Sequence, residues 1–143
     1  MINLNLSKKY KKILKFHHYG IAVKSFKESL KFYKMLGYKN TKVIKDKAQN
    51  IHLILLIKKN YPTIELVKAS GKNNPISSFL KYTDVSMYHT CYEISEKNFD
   101  FKLFLKNFDS ICVGSPIPNK IFKKKFTRFY YIKNVGLLEF LHD

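Results

Sequence analysis

Residues 16–23, "FHHYGIAV", alternate as an extended chain does: Tyr19, Ile21 and Val23 share one face, and His18, Gly20 and Ala22 share the other. The spacing then becomes helical. Phe26, Leu30, Tyr33 and Leu36 form an apolar stripe, Ser25-Phe26-Lys27-Glu28 reads as a capping box, and Gly37 is a natural C-terminal stop. Strand-like runs follow at 39–43, 50–57 and 63–68. Residues 69–76, "ASGKNNPI", are the clearest linker, and Asn74-Pro75 predicts the start of a short helix over "PISSFLKY".

The pattern then repeats. Residues 86–94, "SMYHTCYEI", alternate as a strand, and Ser95 is placed to cap a helix reaching about Asn107, with Phe99, Leu103 and Phe104 among its apolar positions. "SICVGS", "FKKKFTRFYYIKN" and "VGLLEFL" read as three further strands. The order βαβββ, linker helix, βαβββ is a duplication of topology with little identity between its halves. It predicts one α+β domain over 1–143, with module one at about 16–70, the linker helix at about 75–82 and module two at about 86–141.

Composition changes this picture only slightly. A chain of 143 residues is long enough for one real core, and no apolar run approaches a membrane span. The start, "MINLNLSKKYKKILK", has no apolar h-region and no small-residue cleavage site, so no secretory signal is read there. Two cysteines, Cys91 and Cys112, without a CxxC pair, suit a reduced cytoplasmic protein with both thiols buried in strands. The net charge of +17 invites a nucleic-acid partner, but nearly all of it is lysine. Arg128 is the single arginine, and arginine is the usual reader of base edges and phosphates. The charge therefore reads mainly as a solvated face, secondarily as an attraction for an anionic ligand.

Four residues carry the chemistry. His18 begins the first strand of half one and His89 that of half two; Glu65 lies in the last strand of half one and Glu139 in the last strand of half two. Glu65 follows His18 by 47 residues and Glu139 follows His89 by 50. If the halves fold alike about a pseudo-twofold axis, the four converge. Two imidazoles and two carboxylates suit a divalent first-row metal with open positions for substrate oxygens. Both glutamates interrupt apolar strands, where a carboxylate is costly unless paired or metal-bound. Gly20 and Ala22 beside His18 are small enough to leave a cleft. His17 has the wrong parity, with Tyr88 in its place in half two, and His142 is read as solvated. Cys91 and Glu93 share a strand face with His89 and are candidates to line the cleft.

These residues lie in segments that resemble the vicinal-oxygen-chelate superfamily, also called the glyoxalase/bleomycin-resistance/dioxygenase superfamily. The resemblance covers roughly residues 16–141 and is nearest to methylmalonyl-CoA epimerases and short glyoxalase-like proteins. "HHYGIAVKSFKESLKFYKMLGYK" is similar to that group's opening strand and helix, and "IELVKASGKNNPISSFL" to its glutamate strand and following segment. "YHTCYEI" is similar to its second histidine strand, and "GLLEFL" to its closing glutamate strand. The resemblance implies paired βαβββ modules forming a cup-shaped mixed sheet around one divalent ion (Ni, Co, Zn or Mn), held by His18, Glu65, His89 and Glu139. It implies proton transfer next to a carbonyl, with Glu139 moving the proton, in an epimerase or a lactoylglutathione-lyase-like enzyme. In the epimerases a second catalytic glutamate precedes a Gln at the start of the third strand. The matching "DKAQNIHL" has Ala48 there, leaving Asp46 and His52 as candidate substitutes.

The expected partner is a small anionic substrate, an acyl thioester or a 2-oxo/2-hydroxy acyl compound, with no membrane and no nucleic acid; a homodimer is left open. The alternative expectation is a non-catalytic binding or resistance-type member of the same superfamily.

Overall fold

The structure is a computed structural model and describes residues 4–143. Residues 1–3 of the segment screened for a secretory signal lie outside those described. The chain divides into two compact units, residues 18–89 and residues 1–17 with 90–143. Strands β1 (Leu14–Val23) and β6 (Val85–Ile94) each begin in one unit and end in the other.

In the unit 18–89, β1 is followed by α2 (Phe26–Met35), β2 (Lys39–Asn40), β3 (Ile44–Asp46), β4 (Ile51–Ile57) and β5 (Thr63–Ala69). The strand order is β2-β4-β5-β1, with β3 also pairing with β4. β1 and β5 are parallel, and β4 runs antiparallel to β5. Helix α2 starts where Ser25 Oγ accepts a hydrogen bond from Lys27 N–H at 3.3 Å. It ends in a Schellman turn: Gly37 adopts φ +86°, its N–H donates to Lys34 O, and Tyr38 N–H donates to Tyr33 O. Phe26, Leu30 and Tyr33 pack on Val23, Ile54, Leu56 and Leu66, so the predicted stripe faces the predicted strand face. Each such aliphatic side chain contributes roughly 1.5–3 kcal/mol by burial.

The other unit holds α1 (Leu4–Ile13), the start of β1, the second half of β6, α3 (Phe101–Leu105), β7 (Ser110–Pro118), β8 (Phe126–Ile132) and β9 (Gly136–His142). Its strand order is β6-β9-β8-β7, with β6 and β9 parallel and the rest antiparallel. Each module thus pairs its first and last strands in parallel, and the fold is α+β with two tandem βαβββ modules.

Several elements depart from the expectations. The predicted linker helix at 75–82 is a run of turns. Asn74 does cap it, accepting from Ile76 N–H and Ser77 N–H, but the bonds that follow span three residues, Phe79 N–H to Ile76 O and Leu80 N–H to Ser77 O. The second-module helix does not begin at Ser95. Asn98 takes a left-handed φ of +55°, and Asp100 caps α3 instead, accepting from Leu103 N–H at 2.8 Å. The strand expected at 39–43 is confined to β2, and β3 follows beyond its expected end. Helix α1 was not predicted; it holds by Tyr10 packing on Phe99 and Phe104 and by Ser95 donating to Ile13 O. Cys91 is buried, but Cys112 is exposed because β7 is the outermost strand in its unit's order. No helix among the described residues is long and apolar enough to cross a membrane.

Candidate metal centre

Strands β1, β5 and β6 bring His18, Glu65 and His89 together within the unit 18–89. All three are buried: His18 is fully enclosed, His89 is 2% exposed and Glu65 is 5% exposed. The two imidazoles face one another with their Nε2 atoms 3.1 Å apart. Glu65 spans the pair, Oε2 lying 3.7 Å from His18 Nε2 and Oε1 lying 3.7 Å from His89 Nε2. Candidate donor atoms of the three lie within 4.8 Å of one another.

The local sequence explains the convergence. His18 and Gly20 share a strand face, and Glu65 is directly opposite Gly20 in the parallel pairing of β1 with β5. A Cβ on residue 20 would stand 2.5 Å from His89 Nε2 and 2.6 Å from its Nδ1. The space read in the sequence as a cleft beside His18 is therefore filled by the His89 ring. Glycine is needed at this position for close approach.

The donor set fits a divalent cation. Two imidazole nitrogens 3.1 Å apart share at most one proton when neutral, whereas one cation satisfies both lone pairs and the carboxylate. Two ligands each about 2.1 Å from a common ion are about 3.0 Å apart at a right angle and about 3.4 Å apart at a tetrahedral angle, and the observed separation lies between these.

Glu139 is 3% exposed in β9, and its Oε1 accepts a hydrogen bond from Thr127 Oγ1 at 3.0 Å. Its register repeats that of Glu65. Glu65 opposes the residue two after His18, and Glu139 opposes Cys91, the residue two after His89.

The family model described as "Glyoxalase/Bleomycin resistance protein/Dioxygenase superfamily" matches residues 17–109, more than half of the chain. The chain belongs to this superfamily. Solved structures agree with the fold expected of a glyoxalase-superfamily domain. A hypothetical protein from Bacillus halodurans aligns with TM-score 0.76 at 22% identity, covering 91% of this chain and 94% of that one. Methylmalonyl-CoA epimerase from Mycobacterium tuberculosis aligns with TM-score 0.69 at 17% identity, over 89% and 86% of the two chains. A variant of the Streptomyces coelicolor epimerase, in complex with 2-nitronate-propionyl-CoA, aligns with TM-score 0.70 at 13% identity, over 92% and 98%. At these identities the likeness shows the fold alone. No curated protein matches the sequence.

The secondary candidates have other surroundings. The Asp46 carboxylate is committed to the turn that follows it: Oδ1 accepts from Ala48 N–H at 3.0 Å and Gln49 N–H at 3.3 Å, and Oδ2 accepts from Gln49 Nε2 at 2.9 Å. His52 is partly buried in β4, between Lys45 and Lys68 on the neighbouring strands. Cys91 is fully buried, and Glu93 forms a 3.1 Å ion pair with Lys125. His17 lies edge-on to Phe122 at 4.6 Å, and burial holds its pKa below the ordinary value, against the opposing pull of Glu93. His142, read as solvated, is instead partly buried.

Proposed function

We propose that the chain is a divalent-metal-dependent isomerase or lyase that moves a proton at a carbon next to a carbonyl, on an anionic acyl thioester or a 2-oxo/2-hydroxy acyl substrate. The observation that carries this reading is the buried His18–Glu65–His89 set, whose two imidazole nitrogens are separated as two ligands of one cation are, with the Glu65 carboxylate spanning the pair. Glu139 is the fourth ligand in this reading, and its register match to Glu65 supports it. A bound divalent ion would supply Lewis acidity, polarising the carbonyl and stabilising negative charge on its oxygen. The protein's own residues do the rest. His18 and His89 supply neutral nitrogens, Glu65 offsets charge, and Glu139 accepts and returns the substrate proton, with Thr127 orienting its carboxylate. The excess of lysine draws an anionic substrate towards the surface. An acyl-CoA fits that charge, and acyl-CoA ligands occur in the Streptomyces epimerase complex and in a methylmalonyl-CoA epimerase bound to methylmalonyl-CoA.

The test pairs metal analysis with α-proton exchange in D₂O. Metal-loaded protein should exchange the proton of an acyl-CoA or hemithioacetal, and Glu139→Gln should abolish exchange in a folded protein. A metal-loaded wild type that exchanges no proton on any such compound defeats the proposal.

One observation favours a second reading, a non-catalytic binding member. Ala48 stands where the epimerases carry a second catalytic glutamate, and Asp46 nearby is occupied by backbone and side-chain donors. Purified protein without stoichiometric metal, and without a gain in Tm on adding Ni²⁺, Co²⁺, Mn²⁺ or Zn²⁺, would select this reading.

A further inference from the structure

A polar cavity lies in the unit that holds β7, β8 and β9. It measures about 240 Å³ and is lined by Glu96, Phe99, Phe101, Arg128, His142 and Asp143, among others. Thr127 uses one face of β8 to reach Glu139, so Arg128 next to it emerges on the opposite face, where Phe140 is its cross-strand partner. This cavity is therefore distinct from the histidine–glutamate site.

Two of its polar groups are left without partners. The Nε of Arg128 and the Nε2 of His142 are both buried and have no hydrogen-bond partner among the described residues. Leaving a buried charged donor unsatisfied costs more than leaving a neutral one. The acidic groups in the lining are already engaged: Glu96 pairs with Lys9 at 3.4 Å, and Asp143 pairs with Lys125 at 3.0 Å. Arg128 is thus the uncompensated charge of the lining. Its guanidinium sits over the Phe101 ring at 5.0 Å and beside the Tyr130 hydroxyl. His142 is fixed by a 3.0 Å contact from Nδ1 to the Asp143 carbonyl, which places the Nδ1 proton there and turns Nε2 away from it. Phe99 and Phe101 add an apolar wall.

We propose that this cavity binds a small organic carboxylate together with a proton, its oxygens accepting from the Arg128 guanidinium and from Nε2–H of the His142 imidazolium, and its apolar body against Phe99 and Phe101. An arginine fork favours a planar oxyanion, and the aromatic wall favours a carboxylate carrying an apolar group over inorganic phosphate.

Calorimetric titration of the full chain with benzoate tests this, in buffer stripped of metal on a chelating resin so that neither a bound ion nor a soluble chelator competes for the carboxylate. Benzoate should bind saturably, and phosphate at least tenfold more weakly. Arg128→Gln and Arg128→Lys should each weaken benzoate at least tenfold; the lysine keeps the charge and the apolar stem and so guards against a folding failure. His142→Gln should weaken it several-fold. No saturable heat with benzoate up to about 10 mM overturns the proposal. So does undiminished affinity in folded Arg128→Lys, or phosphate binding as tightly as benzoate. None of these outcomes depends on catalysis at the metal centre.

Discussion

Gly20 and His89 are matched across 69 residues of sequence: the imidazole occupies the volume that any side chain on residue 20 would need. Gly20→Ala must push the ring away from His18. We expect a loss of about 1–3 kcal/mol of stability and at least a tenfold loss of metal affinity, read by thermal unfolding and metal titration. An alanine variant that binds metal like the wild type would show that the ring has another place to go.

Metal binding should depend on each member of the buried set. His18→Ala, His89→Ala and Glu65→Gln should each reduce or remove the Tm gain produced by Zn²⁺ or Ni²⁺. In the wild type, an ion at a hundred times its Kd should add about 2.7 kcal/mol. Chelation should return the wild type to its metal-free Tm.

Asp46 and the proposed proton-moving glutamate should separate cleanly. Asp46→Ala removes three hydrogen bonds that shape the turn before β4 and should cost about 1–3 kcal/mol. Its α-proton exchange rate should stay near the wild-type value. A collapse of exchange in a folded Asp46→Asn protein would make Asp46 the second base after all.

Alkali should weaken the fold. Burial raises the pKa of Tyr33, with Tyr38 adding to the effect, and burial likewise raises that of Tyr130. A phenol that resists ionisation in the fold loses stability as pH rises past its unfolded value of about 10. Lys125 is raised first by its hydrogen bond to Asp143 and then by Glu93. Its contribution is present below about 10.5 and is lost as pH climbs through the folded value. Unfolding curves from pH 8 to 11 should show the decline, and Tyr33→Phe should flatten it. Superimposable curves for the two proteins would rule out Tyr33 as a cause.

The strands and α2 were readable because their apolar period is strong and their caps are local. Ser25, Gly37 and Asn74 act within three residues of where they stand. The grouping of His18, Glu65 and His89 was readable from strand parity and from the repeated pairing of a histidine strand with a glutamate strand. The elements that escaped depend on long-range contact. Helix α1 is lysine-rich and has no buried residue, so its own pattern says little; the ring of Tyr10 against Phe99 and Phe104 holds it. The late start of α3 hangs on one left-handed asparagine. Nothing in the local pattern showed that Gly20 makes room for a ring from another strand, or that His142 and Arg128 line one cavity.

The unit spanning 18–89 carries His18, Glu65 and His89, and β1, β4 and β5 pair within it. Synthesis runs from the N-terminus, and compact units tend to fold as they emerge. Three of the four proposed ligands leave the ribosome before the strand bearing Glu139 has been made. The order of translation thus gives the first three donors the earliest chance at a cation, and the proton-moving carboxylate arrives last.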